Sequence, residues 1–249
     1  MPNPVKLFTR IPVGLPKRLS QFMKKNQLLN DALKYQTWRN HLTEQQIKIN
    51  DVQELHVQRA DKDGSVLYAL LNVDATAPEG NKLNPICFIK GDAVSMLVVL
   101  IDEQTDDKYV LLVKQRRICD GSELFEHPAG MIDEDDESPV AVAARELGEE
   151  AQLEVKPDEL KPLFDKPLFS STSTTDEALY FFFLERRMPL ADIRAFHGRQ
   201  TGAEGENEHT QLHIATLPDA HRLIRNIHGV MSHLQYLKLI GDHETLKQL

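Results

Sequence analysis

The chain has 249 residues, of which 41% are hydrophobic and 27% are charged. This composition is typical of a folded globular protein and excludes wholesale disorder, and the length suits one large domain or a medium domain with a small one. The formal net charge of −9 disfavours a general nucleic-acid-binding role, because a surface of that sign repels a polyanion.

The cysteines and the apolar segments indicate no disulfide framework and no membrane role. Cys87 and Cys119 are the only cysteines, and we interpret both as idle thiols of a reducing compartment. The longest apolar stretch covers residues 93–101. It is far shorter than the about 20 residues that cross a bilayer, so we predict a buried strand there.

The first thirty residues bear on the location of the protein. They contain six basic residues and no acidic residue, a bias that resembles organelle transit peptides. However, four prolines interrupt any continuous amphipathic helix in this segment. We therefore expect a cytoplasmic protein, with a cleaved organelle leader as the alternative.

The predicted elements begin with a helix and a hairpin. Residues 19–42 carry apolar side chains at helical spacing. Strands at residues 52–57 and 66–73 flank Asp61-Lys62-Asp63-Gly64, a turn signal that predicts a β-hairpin. Residues 75–85 contain two prolines and a glycine, which indicates a linker.

A second strand-rich region follows the linker. Its predicted elements are a hairpin (94–101 and 109–116), a short strand (124–126), a helix (139–151), two further strands (179–184 and 211–216) and a mostly helical segment (219–240). Ser138 is a suitable cap for the 139–151 helix, and Pro139 suits its first turn. Because strands and helices intermingle, we predict an α/β fold in which helices cover the faces of a sheet.

The helix at 139–151 carries the most informative side chains. Glu146 and Glu150 lie four residues apart and share one face, and Glu149 borders that face. Three carboxylates this close repel one another, so a hard divalent cation, Mg²⁺ or Mn²⁺ rather than zinc, is the natural way to hold them. Arg145 lies four residues before Glu149 and can pair with it.

The loop before this helix separates two interpretations of its acidic residues. A solvated acidic helix face is common and needs no metal. However, Glu126-His127-Pro128-Ala129-Gly130 places a glycine turn and backbone carbonyls ahead of the carboxylates, where carbonyl oxygens can join a metal shell. We therefore favour a metal site.

Residues 130–153 resemble the Nudix box. Its pattern is Gly, five residues, Glu, seven residues, and then Arg-Glu-apolar-x-Glu-Glu-x-Gly-apolar. Arg145-Glu-Leu-Gly-Glu-Glu150 matches the core of this pattern, and Leu153 matches its final apolar position.

Two features of the box depart from the pattern. One extra residue lies between Gly130 and Arg145, so the first glutamate corresponds to Glu137 or, as an aspartate, to Asp136. Gln152 replaces the last glycine, which would end the helix in a left-handed conformation that costs another residue about 1 kcal/mol.

Residues 35–240 resemble the ADP-sugar pyrophosphatase branch of the Nudix family, in particular the plant and fungal type that acts on ADP-ribose or ADP-glucose. Three passages carry this resemblance: a strand that ends in Gln115-Arg116-Arg117, the loop Glu126–Gly130 with His127 in place of leucine, and the segment Arg199–Glu208. The hydroxyl-rich segment Ser170–Glu177 departs from the branch because it contains no glycine.

The resemblance implies the members of a catalytic site. Metal would be bound by Glu146, Glu149, Glu150 and the Ala129 carbonyl; Arg145 and Glu149 would serve catalysis; Arg116 or Arg117 and Glu126 would contact the substrate; and Glu206 or Glu208 would be the general base. The arginines could instead be solvated charges at a strand end, and the acidic loop could be an ordinary surface loop. We interpret the histidines at 197, 209, 213, 221, 228 and 233 as surface or core residues rather than metal ligands.

The resemblance also implies a fold, a reaction and partners. We expect a Nudix α/β/α sandwich with a mixed sheet at residues 89–249, preceded at residues 1–88 by a helix-and-hairpin region that acts as a dimerisation arm. With Mg²⁺ or Mn²⁺, a homodimer would cleave ADP-ribose or ADP-glucose to AMP and a sugar phosphate. The expected partner is this small nucleotide sugar, with no role for nucleic acid or a membrane.

Two alternatives to this function remain open. The first is Nudix chemistry on another nucleoside diphosphate derivative, such as UDP-glucose, a dinucleotide cofactor or a dinucleoside polyphosphate. The second is a non-catalytic nucleotide-binding Nudix module, whose hallmark would be the loss of the glutamates that this chain retains.

Overall fold

The computed structural model describes residues 28–61, 63–133, 138–201 and 210–249. The chain divides into two compact units, with the boundary between Ile89 and Lys90. No helix within the described ranges is both long and apolar enough to cross a membrane.

The first unit is an antiparallel sheet with a helix packed on it. A 3₁₀ turn (Leu29–Asp31) precedes α1 (Leu33–Glu44), β1 (Lys48–Arg59), β2 (Val66–Thr76) and β3 (Ile86–Ile89), and the strands pair in the order β1-β2-β3. Ala69 and Leu71 of β2 are buried in one core with Trp38 of α1, as the two-residue period of a strand requires. Gly64 has a left-handed φ of 72° between β1 and β2. The predicted hairpin is therefore confirmed.

Two expectations for the first unit differ from the structure. Residues 19–27 of the predicted helix lie outside the described residues, and Ala32 is extended (φ −73°, ψ 126°), which separates the 3₁₀ turn from α1. Leu33, one of the apolar residues of the helix predicted at 19–42, is 49% exposed because α1 turns other residues toward the sheet. The linker prediction was too long, since β2 continues to Thr76 and the prolines and glycine occupy only the connection to β3.

The second unit contains a mixed sheet and most of the helices. Its elements are β4 (Ala93–Asp102), β5 (Lys108–Arg116), β6 (Glu123–Glu126), β7 (Ala129–Met131), α2 (Pro139–Ala151), a 3₁₀ turn (Pro157–Glu159), β8 (Lys161–Pro162), β9 (Leu168–Phe169), β10 (Ala178–Met188), α3 (Leu190–Phe196), β11 (Gln200–Thr201), β12 (Thr210–Thr216), α4 (Leu217–Leu223), α5 (Ile227–Ile240) and α6 (His243–Leu246). The strands pair in the order β11-β12-β5-β4-β10-β8, with β6 on β5, β7 on β4 and β9 on β10. The pairing of β4 with β10 is parallel and that with β5 is antiparallel.

Alternate residues of the central strand β4 enter two separate cores. Val94 and Met96 are buried with residues of α2 and α3 on one face of the sheet. Leu97 and Val99 are buried with residues of α4 and α5 on the other face. A nearly continuous apolar strand is typical of a sheet that is covered on both sides. The predicted α/β sandwich with a mixed sheet is therefore confirmed.

The C-terminal segment forms two helices where one mostly helical stretch was expected. The break falls between α4 and α5, where Asn226 Oδ1 accepts a hydrogen bond from Gly229 N (2.8 Å) and caps α5. A Cβ at residue 229 would overlap the Ile224 side chain, so glycine allows the two helices to pack this closely.

Candidate active site

Helix α2 begins and ends where its sequence predicts. Ser138 Oγ accepts a hydrogen bond from Ala141 N (3.3 Å), and Pro139 occupies the first turn. At the other end, Gln152 takes a left-handed conformation (φ 52°, ψ 38°) in place of the usual glycine. Leu147 is fully buried in the core, and the helix contacts β7. The carboxylates of α2 therefore meet the strand that follows the Glu126-His127-Pro128 loop.

Glu146 lies against the backbone of Gly130 in β7. Its side chain is 13% exposed, and a Cβ at residue 130 would overlap its carboxylate group. Gly130 is a strand residue without a left-handed φ, so the glycine turn expected here was wrong. The glycine is needed for the close approach of a side chain rather than for a turn.

Glu150 binds the backbone of the neighbouring residue of β7. Its Oε2 accepts a hydrogen bond from Ala129 N at 3.0 Å. A hydrogen bond to an ionised acceptor is stronger than one between neutral groups. β7 is itself fixed by pairing with β4, and Met96 N donates to Pro128 O at 2.9 Å. Glu146 and Glu150 are thus both set against one short, paired strand.

Arg145 lies between two carboxylates. Its Nη1 is 3.1 Å from Glu146 Oε1 and 3.2 Å from Glu149 Oε2. The predicted pairing of Arg145 with Glu149 is therefore confirmed. Because the Glu149 side chain is 51% exposed, this surface pair adds little stability, and its main effect is to orient the carboxylate.

The residues predicted to bind metal are partly assembled. Glu146 and Glu150 lie against adjacent residues of β7, and Glu149 is tied to the same helix face by Arg145. Within the described ranges, no three His, Cys, Asp or Glu side chains gather closely enough to hold a metal ion. The donor set still fits a hard divalent cation, because carboxylates and a backbone carbonyl are oxygen ligands. The assignment of these glutamates and the Ala129 carbonyl as ligands stays a prediction.

Glu126 lies at the centre of a hydrogen-bond network. Its Oε2 accepts from Gln115 Nε2 (3.0 Å) and Arg117 Nε (2.9 Å), and its Oε1 accepts from Asn226 Nδ2 (3.3 Å). Arg116 is not part of this network, because its Nη1 donates to Gly121 O at 2.7 Å. Of the two candidate arginines, Arg117 is therefore the one beside Glu126.

Four predicted residues lie outside the part of the chain that the structure describes: Asp136, Glu137, Glu206 and Glu208. The strands that flank residues 202–209 are described. Thr201 of β11 pairs with Thr210 of β12, and their hydroxyl oxygens are 2.9 Å apart. Strand β11 also contacts α2.

The hydroxyl-rich segment Ser170–Glu177 folds without glycine. The amides of Thr174 and Thr175 both donate to Ser171 O (3.1 and 3.0 Å), and no residue of this segment has a left-handed φ. Asp176 Oδ1 accepts hydrogen bonds from the amides of residues 90 and 91. The segment is thus a turn anchored at the start of the second unit.

The sequence pattern did not indicate three residues near the site. Gln115 and Asn226 both donate to Glu126, yet Asn226 lies a hundred residues away along the chain, inside a segment that was expected to be mostly helical. His233, interpreted as a core residue, is fully buried and its Nε2 lies 3.1 Å from His127 Nε2. A buried histidine beside a functional loop gives no signal in a single sequence.

Comparisons with known proteins bear on the family and the fold of the chain. A family model described as NUDIX domain matches residues 91–227. Nudix hydrolase 14, chloroplastic, of Arabidopsis thaliana is 30% identical over 142 residues, which cover 54% of this chain and 45% of that protein. The chain thus spans about half the length of this curated relative. In fold alone, the crystal structure of an ADP compounds hydrolase is similar, with 18% identity, a TM-score of 0.55, and coverage of 79% of this chain and 95% of that one.

Proposed function

We propose that this chain, which belongs to the Nudix family, hydrolyses the pyrophosphate bond of a nucleoside diphosphate sugar. The proposed substrate is ADP-ribose or ADP-glucose, and the products are AMP and a sugar phosphate. Nudix hydrolases generally use divalent metals, and we propose Mg²⁺ or Mn²⁺ for this chain.

One observation carries the proposal. The carboxylates of Glu146 and Glu150 lie against two consecutive residues of β7, Gly130 and Ala129. An ordinary acidic helix face projects into solvent, whereas these side chains are turned toward a backbone segment that is fixed by strand pairing. Such an arrangement serves the binding of a cation better than it serves solubility.

The chain's own residues would prepare the site for its ligands. Glu146, Glu149, Glu150 and the Ala129 carbonyl would hold the divalent ion, which when bound lowers the pKa of water and neutralises the diphosphate. Arg145, which contacts both Glu146 and Glu149, would orient their carboxylates.

Substrate contact is proposed for Arg117 and Glu126. Glu126 fixes the guanidinium of Arg117 through a charge-assisted hydrogen bond, while the Arg117 side chain remains 46% exposed. A planar, permanently charged guanidinium suits a diphosphate. Arg116 is the weaker candidate because it is engaged by the backbone of its own loop. The similar fold of an ADP compounds hydrolase supports an adenine nucleotide as the ligand.

The general base is proposed to be Glu206 or Glu208. Strand β11, which ends at Thr201, contacts α2, the helix that carries the proposed metal ligands. The base would take a proton from the attacking water while the water oxygen bonds to phosphorus and the bridging P–O bond breaks. The bridging oxygen leaves with one of the two phosphate products.

We also propose that the chain acts as a cytoplasmic homodimer, with residues 1–88 as the dimerisation arm and residues 89–249 as the catalytic domain. Among the described residues of the first unit, Leu55, Leu83 and Ile86 are 46%, 37% and 40% exposed, so these apolar side chains are available to a partner chain. The alternative location is an organelle, and the Arabidopsis relative is by its name a chloroplast protein.

Light scattering tests the proposed dimer. It should give a mass twice that of one chain; a single-chain mass would contradict the dimer.

A substrate panel tests the reaction. The protein is incubated with Mg²⁺ and, separately, ADP-ribose, ADP-glucose, UDP-glucose, NADH and a diadenosine polyphosphate, and nucleotide release is measured. We expect AMP from an ADP-sugar at the highest rate. Turnover restricted to UDP-glucose or to a dinucleotide would contradict the substrate while preserving the chemistry, and no turnover of any compound would favour a nucleotide-binding module.

The same assay distinguishes the two candidate bases. Glu206→Gln and Glu208→Gln differ by two positions in one segment, so each is a matched control for the other. Loss of general base catalysis should slow one variant by about 100-fold or more and leave the other near the wild-type rate. Near-normal rates for both variants would exclude both residues as the base.

A further inference from the structure

His127 occupies a fully buried position between Glu126 and the strand that contacts the α2 carboxylates. It is 4% exposed, and its Nε2 lies 3.1 Å from Nε2 of His233 in α5. The two rings meet edge to face, with centroids 4.9 Å apart. His127 Nδ1 is buried and has no hydrogen-bond partner among the described residues, so within them His233 supplies the hydrogen bond that this ring makes.

A third histidine extends the contact toward the surface. His233 Nδ1 lies 3.3 Å from Nδ1 of His221 in α4, which is partly exposed. Burial and then the neighbouring His221 lower the pKa of His233 to about 3, so its ring is neutral and can donate through one nitrogen while it accepts through the other. If His127 Nε2–H donates to His233, then His233 Nδ1–H donates to His221, and each of these two contacts has one donor and one acceptor.

Helix α5 contacts the loop at two consecutive residues. Besides the contact between His233 and His127, Asn226 Nδ2 donates to Glu126 Oε1 at 3.3 Å. Asn226 is the cap of α5, and its Oδ1 accepts from Gly229 N. Two side chains of one helix, seven positions apart, therefore fix where the chain leaves β6.

Two of the three residues after His127 contact the proposed metal ligands. Pro128 O accepts a hydrogen bond from Met96 N of β4. Ala129 N donates to Glu150 Oε2, and Gly130 lies against Glu146. A displacement of His127 would therefore be transmitted within three residues to both carboxylates. Groups behind a metal site commonly set its affinity in this way.

We propose that His233 is a positioning residue whose hydrogen bond to His127 sets the place of residues 127–130 and, through them, of the Glu146 and Glu150 carboxylates. The inference rests on the proposed function only for its metal readout. Its structural content, the link from α5 to the Ala129–Glu150 hydrogen bond, does not depend on any substrate.

Four variants test the link. His233→Leu removes the hydrogen bond and leaves buried nitrogens of His127 without a partner. His233→Gln retains an amide group that can take the place of Nε2. His127→Leu/His233→Leu replaces the whole pair by an apolar contact. Ser232→Ala is the control, because it removes another hydrogen bond of α5, that from the buried Ser232 Oγ to His228 O (2.9 Å), outside the link.

Two readouts are measured for each variant. Hydrogen exchange of the peptide containing Ala129 reports whether its amide is still bound to Glu150, without any metal. Binding of Mn²⁺, followed by electron paramagnetic resonance, reports the arrangement of the carboxylates without any substrate. Thermal unfolding identifies variants that have lost their fold.

We expect His233→Leu to accelerate exchange at Ala129 and to weaken Mn²⁺ binding by about tenfold or more. Removing one partner of a buried hydrogen bond is costly, whereas replacing both partners by apolar groups can be nearly neutral. His233→Gln and the double leucine variant should therefore regain most of the Mn²⁺ affinity. Ser232→Ala should match the wild type in both readouts, even where its melting temperature falls.

Three results would overturn the inference. They are wild-type exchange and Mn²⁺ affinity in His233→Leu, an equal loss in His233→Gln and His233→Leu, or an effect of Ser232→Ala on Mn²⁺ as large as that of His233→Leu. If His233→Leu does not fold, the glutamine and double variants decide. A wild type that binds no Mn²⁺ would contradict the proposed metal site, and hydrogen exchange would then decide the inference by itself.

Discussion

Gly130 determines how closely Glu146 approaches the backbone of β7. The side chain of Glu146 fills the volume that a Cβ would need at residue 130, and it is largely shielded from solvent. The neighbouring Glu150 binds the amide of Ala129. At the scale of single residues, the position of these two carboxylates therefore depends on the absence of a Cβ at Gly130 and on the hydrogen bond from Ala129 N to Glu150.

Gly130→Ala should displace the Glu146 carboxylate. The overlap is with a side chain rather than with backbone, so we expect the fold to persist while Glu146 moves away from β7. A displaced ligand should weaken Mn²⁺ binding and Mg²⁺-dependent turnover by about 10- to 100-fold. Mn²⁺ titration and steady-state kinetics measure both quantities. Wild-type metal affinity in this variant would show that the position of Glu146 against Gly130 is not needed.

The burial of His233 gives a pH dependence of stability. Burial, followed by the influence of His221, lowers the pKa of His233 from 6.5 to about 3. Below pH 6.5 the unfolded chain binds a proton that the folded chain does not, so this contribution to stability is present above pH 6.5 and is lost as the pH falls toward 3.

We expect this one group to reduce the free energy of unfolding by about 2 kcal/mol between about pH 7 and about pH 5. Urea unfolding at both values, for the wild type and for His233→Gln, measures the effect. The wild type should lose more stability than the variant. Equal losses would mean that His233 is protonated in the folded protein in this range.

Among the elements, those with a strong local pattern could be predicted from the sequence. Strand β4 is a continuous apolar run, and α2 has both a cap and a proline at its start. Strand β7 has three residues and forms by pairing with β4, so no local period indicates it. The break between α4 and α5 depends on tertiary packing of Gly229 against Ile224, which a helical period does not reveal.

The same distinction applies to the candidate site. The helical period placed Glu146 and Glu150 on one face, and the pairing of Arg145 with Glu149 followed from their spacing. The partners of the loop, Asn226 and His233, come from an element a hundred residues away, and no pattern within a single sequence connects them to it.

Within α2, Gly148 lowers helix stability without serving a close contact. A Cβ at this position would have Glu154 Oε1 at 3.8 Å as its nearest neighbour, which is an ordinary contact. Alanine in a helix interior is favoured over glycine by about 1 kcal/mol. Gly148→Ala should therefore raise the free energy of unfolding by about that amount in urea and leave turnover unchanged. An unchanged or reduced stability would contradict this account of the helix.

At the scale of the whole molecule, the second unit brings together elements from across residues 90–249. Strand β7 and helix α2 contribute the carboxylates and their contacts, β5 and β6 contribute Arg117 and Glu126, and α5 contacts the loop between them. The net charge of −9 opposes the binding of a polyanion, whereas a small diphosphate can be attracted by a bound divalent ion and one arginine. This balance favours a small nucleotide over a nucleic acid as the ligand.

The most direct measurement compares AMP release from ADP-ribose and ADP-glucose by the wild type, by Glu150→Gln and by the control Glu154→Gln, across a titration of Mg²⁺. Glu154 is an exposed carboxylate just beyond the end of α2. We predict Mg²⁺-dependent release of AMP by the wild type and by the control, and a rate at least about 100-fold lower for Glu150→Gln. Equal rates for all three proteins, or no dependence on Mg²⁺, would contradict a catalytic role for the α2 carboxylates.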